Sequence, residues 1–338
     1  MSDPNKALTL RTIALSACAM ALTLVGGCAE MSSLQPKGIA AQRIADLWWF
    51  QFFLALPFFL AVAIMLLLAI RRSRRKDGKP TRNRGMVIML VGGVILPALA
   101  MAGLMYSATR ALADVTAQAA KAELRVEVQG KQWWWRVGYT VDGETFFTAN
   151  EIHIPAGETV SLALSSDNVI HSFWAPELNG KRDLIPGVPD AFWIQADNPG
   201  IYHGQCAEFC GAQHAKMHFL VIAHEPQDFE GWLDHERQPA LLLTEGEEFF
   251  PGQQAFLRAP CVACHTIRGT TAAGTIAPDL THFSSRQDLG AGTLSNVPGN
   301  LAAWIIDSQV FKPGNLMPPM PLPPDQLTEI VGYLESLQ

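Results

Sequence analysis

A chain of 338 residues that is 49% hydrophobic and 17% charged is long enough for two or three domains, and its composition rules out disorder and collagen-like repetition. The formal charge of −6 hides a segregation: Arg71 to Arg84 carries eight basic residues and one acid, whereas Ser107 to the C-terminus carries 13 basic and 27 acidic residues, a balance of −14. So acidic a C-terminal portion disfavours nucleic acid as a partner and favours a basic one.

The first apolar stretch, Thr12 to Val25, follows Lys6 and Arg11 and at 14 residues is too short to span a bilayer. It reads as an export signal over residues 1–27. The ending Val25-Gly26-Gly27-Cys28 resembles a bacterial lipoprotein cleavage box, which would make Cys28 the lipidated first residue; an ordinary signal peptide cut nearby is the alternative.

A transmembrane hairpin is expected over residues 40–106. Leu47 to Ile70 holds 24 residues with Gln51 as its one strongly polar member, and Met86 to Tyr106 holds 21 without a charge. At about 1.5 Å per residue both cross a hydrocarbon core of about 30 Å. Trp48 and Trp49 suit the interfacial belt. The Arg71 to Lys76 run marks the cytoplasmic side, so both ends of the hairpin face outward.

Past a short helix expected over Ala108 to Ala122, the pattern turns to alternation at Leu124, Val126, Val128 and at Val160, Leu162, Leu164. With turn signals at Asp142-Gly143 and Asn198-Pro199-Gly200 it predicts a small β-sandwich over residues 107–230, then a polar linker over 231–245. Trp133, Trp134 and Trp135 are adjacent, so they cannot all enter one core from a strand. Cys206, Cys210, His214 and Met217 crowd one loop, and His171 sits at the end of an upstream strand. Soft and borderline donors of this kind favour copper; a Cys2His2 zinc site and a Cys206–Cys210 disulfide are the competitors.

From Gly246 to the C-terminus helical spacing returns. Cys261-Val262-Ala263-Cys264-His265 is a c-type haem attachment signature, in which the two thiols bond the haem covalently and His265 binds the iron. The final helix, Pro324 to Leu337, carries an apolar stripe of Leu327, Ile330, Val331, Leu334 and Leu337 that predicts packing against the helix before Cys261.

Two resemblances join these parts. His171, the Cys206-x-Glu208-x-Cys210-x3-His214-x2-Met217 loop, Gln132-Trp133-Trp134-Trp135 and Asp183-Leu184-Ile185-Pro186-Gly187, downstream of two spans, resemble subunit II of haem–copper cytochrome c oxidases. The C-terminal part resembles small monohaem cytochromes c, and together they match the caa type. The resemblance implies an all-β cupredoxin-like sandwich holding the dinuclear copper centre CuA and an all-α class I cytochrome c domain with one haem c. In it Cys206 and Cys210 bridge the coppers, His171 and His214 give one nitrogen each, and Met217 and the Glu208 carbonyl are weak ligands. It further implies a magnesium ion at the Glu208 side chain shared with subunit I, and Trp133 as the aromatic at the electron-input patch, against plain readings as a surface carboxylate and a packing aromatic. The sixth haem ligand would be Met317, with Met320 as alternative, and the Pro278 carbonyl would orient His265.

The implied role is electron input, from haem c to CuA and on to subunit I, in a proton-pumping terminal oxidase of the bacterial inner membrane. Subunit I, bearing haem and CuB, and subunit III are the implied partners in the membrane lipid, and cytochrome c or a cytochrome bc complex is the donor. The alternatives are the CuA subunit of a nitric oxide reductase and, in a different class, a periplasmic copper-binding assembly factor. One departure stands out: many family members carry a glutamate near the start of the second span, but Leu90 occupies that place and no acid lies between Met86 and Tyr106.

Overall fold

The computed structural model describes residues 31–73, 82–119 and 121–338. The export signal, Cys28 and residues 74–81 of the basic turn lie outside them. Helix α1 (Ile39–Ser73) is the first span; the second is built from α2 (Arg82–Leu90), a π-helical turn over Val91–Ile95 and α3 (Leu96–Ala119). The widened turn has a cause in Pro97, which offers no N–H and crowds the carbonyl four residues back, at Gly93. Stretches Ile39–Arg71 and Gly85–Gln118, whose most apolar 18-residue segments have mean hydropathies of 2.9 and 2.4, are long and apolar enough to cross a membrane.

Both helices outrun the expected spans. The separate short helix expected over Ala108 to Ala122 is instead the unbroken end of α3, since no Gly or Pro stands between Leu104 and Ala119 to stop it. The added turns grip the next domain. Ala40, Ala41 and Ala45 are buried, and a Cβ on Gly38 would lie 2.1 Å from the Gln195 carbonyl oxygen. The Trp193 indole donates to the Val115 carbonyl at 3.0 Å, and Gln118 donates to Thr159 at 3.0 Å.

That domain is a sandwich of two five-stranded sheets. Strands β1 (Leu124–Lys131), β2 (Trp134–Val141), β3 (Glu144–Ala149), β5 (Val160–Ser166) and β8 (Asp190–Ile194) form one, in the order β3-β2-β1-β5-β8. The other holds β4 (Glu151–Pro155), β6 (His171–Trp174), β7 (Arg182–Leu184), β9 (Gly200–Cys206) and β10 (His218–His224), in the order β4-β10-β9-β6-β7. The two alternating runs read from the sequence are parallel neighbours, with Val126 opposite Leu162 and Val128 opposite Leu164, all buried. Burying one such side chain contributes about 1.5–3 kcal/mol. Of the three tryptophans Trp135 enters the core, while Trp133 and Trp134 stay partly exposed. The chain after β10 does not go straight to a linker. Helix α4 (Pro226–Glu236) folds back and buries Phe229 and Leu233 on the sandwich, because these two lie four apart on one helical face.

The C-terminal domain packs α5 (Phe250–Arg258), α6 (Pro298–Phe311) and α7 (Pro324–Glu335) around Phe256, Leu301, Ile330, Tyr333 and Leu334. As expected, the final helix crosses the one before Cys261. A Cβ on Gly252 would stand 2.0 Å from the Glu329 carbonyl oxygen, so that crossing tolerates no side chain there.

Helix α4 also stacks Trp232 on His153, ring centroids 4.1 Å apart, and His153 Nδ1 meets His224 Nε2 at 2.7 Å. Burial, aided by the neighbouring imidazole, pulls His224 down from 6.5 to about 4. Between those values the unfolded chain binds a proton that the folded one refuses, so stability falls as pH drops through this window. The sandwich should melt progressively lower from pH 6.5 to 4, and His224→Gln should flatten part of that slope in pH-dependent thermal melts. Equal slopes for the two proteins would refute it.

Candidate copper centre and haem crevice

The expected metal-binding residues converge at one pole of the sandwich. His171 opens β6, Cys206 closes β9, and the loop Ala207–Met217 returns to β10. The loop is tied at its base, Cys206 N–H donating to the Met217 carbonyl at 3.0 Å and Ala207 N–H to the Ser172 carbonyl at 2.9 Å. Cys206 Sγ and Cys210 Sγ are 3.8 Å apart, well beyond the roughly 2.0 Å of a disulfide, and both are buried. His171 Nδ1 lies 3.8 Å from Cys206 Sγ and His214 Nδ1 lies 3.7 Å from Cys210 Sγ. Met217 Sδ stands 3.7 Å from Cys210 Sγ, and the Glu208 carbonyl oxygen 3.2 Å from Cys206 Sγ.

The electrostatics favour a cation. The hydrogen bond from Cys210 holds the Cys206 thiol well below the ordinary thiol range, and the same contact pushes Cys210 up. The pair therefore yields its first proton readily and keeps its second until a metal replaces it. With two thiolates, two imidazoles and a thioether, this donor set fits copper. Small residues make room for it. Gly130 occupies an inward position of β1 in line with Val126 and Val128, and a Cβ there would stand 2.8 Å from His171 Cδ2. The His171 Nε2 is buried with no hydrogen-bond partner among the described residues.

In the C-terminal domain Cys261 lies in a short 3-10 turn and Cys264 caps its end, both free of disulfide bonding. The His265 Nδ1 is 2.8 Å from the Pro278 carbonyl oxygen. A carbonyl only accepts, so Nδ1 carries the proton and Nε2 is left with a lone pair for iron. Burial lowers the pKa of His265, keeping it neutral as a ligand must be. Across the domain Met317 is held by its backbone: its N–H donates to Asn315 Oδ1 at 2.8 Å, and its carbonyl accepts from Ser308 at 3.0 Å and Gln309 at 2.8 Å. Met320 makes two such bonds: its N–H donates to the Ile306 carbonyl at 2.9 Å and its carbonyl accepts from Leu322 at 2.8 Å. These residues fit a c-type haem.

The two sites are stitched together by contacts the sequence reading did not foresee, although it had singled out Trp133 for an electron-input patch. The Trp133 indole and the Gln132 amide both donate to the Cys210 carbonyl, at 3.0 and 2.8 Å. From the cytochrome side Lys312 Nζ donates to the carbonyls of Trp133, Lys216 and Gly290 at 2.7, 2.6 and 2.7 Å. Gln213 donates to the Pro313 carbonyl at 2.6 Å, and Lys216 to that of Phe311. A second set lies away from the copper pole, where Gln287 N–H donates to Glu151 at 2.7 Å and the buried Arg286 reaches Thr148 at 3.3 Å. The one signal for this interface in the sequence was a lysine directly before the methionine loop.

Two protein-family models match the chain: the periplasmic domain of cytochrome c oxidase subunit II over residues 144–224, and cytochrome c over residues 250–338. The chain is 32% identical over 342 residues to cytochrome c oxidase subunit 2 of Alkalihalophilus pseudofirmus, spanning 97% of each protein. It is 28% identical over 317 residues to the protein of the same name from Bacillus subtilis, covering 87% of this chain and 88% of that one. Among solved structures, the periplasmic domain of subunit II of cytochrome oxidase from Bradyrhizobium japonicum matches at 30% identity with a TM-score of 0.33, covering 35% of this chain and 95% of that one.

Gly130→Ala would press a methyl group into His171 while leaving every ligand in the sequence. It should cut copper uptake by about tenfold or more, measured by metal analysis after dialysis, while the melting temperature of the metal-free protein falls by only a few degrees. Full copper retention would show that His171 does not need the space.

Proposed function

The chain belongs to the cytochrome c oxidase subunit II family, and we propose that it is the electron-input subunit of a terminal oxidase, passing electrons from a haem c through a dinuclear copper centre to a separate oxygen-reducing subunit. The observation that carries this reading is the donor cluster at Cys206 and Cys210. In a single tetrahedral zinc site all four ligand atoms would lie about 3.5 Å from one another. Here the donors within 4.8 Å of one another, among the described residues, come from His171, Cys206 and Cys210, while His214 approaches Cys210 on its own. One imidazole for each end of a thiolate pair supports two metals sharing both sulfurs. Bound there, the copper pair supplies a one-electron relay.

The chain's own residues do the rest. Buried thiols and the loop tie at Cys206 and Met217 hold the donors in place through a change of charge, which keeps reorganisation small. Met217 and the Glu208 carbonyl stand as weak ligands. The Glu208 side chain, half-buried, is left for the magnesium ion shared with subunit I. In the cytochrome domain Cys261 and Cys264 would hold the haem covalently and His265, oriented by Pro278, would bind its iron. Met317 would be the second ligand, because three hydrogen bonds fix its backbone where two fix that of Met320. A thioether opposite an imidazole sets a high potential. Trp133 lies between the haem ligand loop and Cys210 and forms the electron-input patch.

The setting is the bacterial inner membrane, with both domains on the periplasmic side, subunits I and III as neighbours and cytochrome c or a cytochrome bc complex as donor. Proton pumping belongs to the partner subunit, and no acid lies between Met86 and Tyr106 of this chain, where many family members carry a glutamate.

Metal analysis of the purified chain should find two coppers and one haem, with a near-infrared copper absorption; a single labile copper would overturn the reading. Met317→Leu should abolish the low-spin haem spectrum while Met320→Leu leaves it intact, and the reverse pattern would transfer the ligand role to Met320.

A further inference from the structure

Lys312 is a cation where none is expected. It is 3% exposed, lies between two domains, and has no carboxylate among its hydrogen-bond partners. Its three protons are met by three carbonyl oxygens from three separate stretches of chain: Trp133 between β1 and β2, Lys216 two residues past His214, and Gly290 in the turn of the small C-terminal hairpin. Carbonyls gathered this closely repel one another and, left dry, would each cost about as much as a lost hydrogen bond. An ammonium with three donors answers that arrangement, whereas a planar guanidinium cannot point its donors at three converging oxygens.

The surroundings say what the contact holds. Pro313 and Gly314 follow at once: the Pro313 carbonyl accepts from Gln213 at 2.6 Å, and a Cβ at Gly314 would sit 3.7 Å from the Trp133 ring. Two bonds then lead into Met317, through Gln309 and Asn315. On the other side the Trp133 indole donates to the Cys210 carbonyl at 3.0 Å. The haem ligand loop and the copper ligand loop thus meet across a single ammonium.

We propose that Lys312 is a positioning residue for internal electron transfer: by gathering the Trp133, Lys216 and Gly290 carbonyls it seats the Met317 loop on Trp133 and holds the cytochrome domain in the one docking that connects haem c to the copper pair. This rests on the electron-input reading above. The step it serves moves one electron, the ferrous haem becoming ferric as the oxidised copper pair is reduced, and it requires no proton from Lys312, whose bonds are the same before and after. The cytochrome domain is then a docked part of the wire, not a carrier swinging on its linker.

The test uses the full chain in its assembled oxidase, comparing wild type with Lys312→Met, which keeps length and apolar bulk but leaves the three carbonyls unmet. Haem and copper absorption report the two sites, and the rate of electron redistribution after flash photolysis reports their coupling. The expected result is two unchanged spectra, a redistribution rate about tenfold lower, and faster amide exchange at residues 132–135 and 287–292. An unchanged rate with both spectra intact overturns the proposal. If Lys312→Met fails to assemble, Gln213→Leu removes the neighbouring bond to Pro313 and should slow the rate about threefold; no slowing there overturns it equally. A wild-type chain lacking the copper absorption would instead defeat the functional reading itself.

Discussion

Two thiols held 3.8 Å apart in a place water does not reach impose demands that the rest of the sandwich meets. Charged sulfur is costly to bury, so two thiolates here need a metal to balance them and a backbone that keeps their spacing. The ties at Cys206 and Ala207 close the loop at its root. Below it, Trp135, Phe173 and Phe219 interlock, with ring centroids 4.4 Å apart for the two phenylalanines, and Gly204 gives the Phe219 ring its seat. The aromatic core is thus a rigid floor under the ligands. Its tightness explains why glycines stand at inward strand positions where alternation alone would call for larger residues.

Much of this was legible because it is local. The loop Cys206 to Met217 carries its chemistry within a dozen residues, the haem signature within five, and the membrane spans in plain hydropathy. The parallel pairing of β1 and β5 was half legible: both runs announce themselves as strands, but nothing in either says that they are neighbours. What escaped was governed by the absence of a signal. Ala108 to Ala119 looks like a new helix when apolarity is the guide, since its polar residues mark where the membrane stops; helix propensity takes no notice of that border. Helix α4 was hidden for the opposite reason, a polar sequence whose few apolar residues find one strip of sandwich to cover.

Least legible was the contact between domains, because it is built from backbone carbonyls. Trp133, Lys216, Gly290, Pro313 and Phe311 accept through main-chain oxygens, which every residue has, so as acceptors their identities carry no trace of it. A polar linker suggests a tethered domain with a high local concentration. The structure places the domain against the sandwich at two separated points, one by the copper loop and one at Glu151 and Arg286, and two points define an orientation where one would allow a pivot.

The unbroken run of α3 from the bilayer to Ala119, shortly before the first strand, has a consequence for the whole assembly. A continuous helix transmits rotation as well as height: each residue along it turns what it carries by about 100° and lifts it by about 1.5 Å. With α1 pinned to the same domain through Gly38 and its buried alanines, the sandwich is mounted on a two-legged stand. The compass bearing of the copper pole, and the membrane partner it faces, are therefore written in the number of residues between Tyr106 and Leu124. Gln118 and the Val115 carbonyl grip the sandwich at the top of that helix, and insertion or deletion of a single residue below them would turn the outlet toward lipid or water.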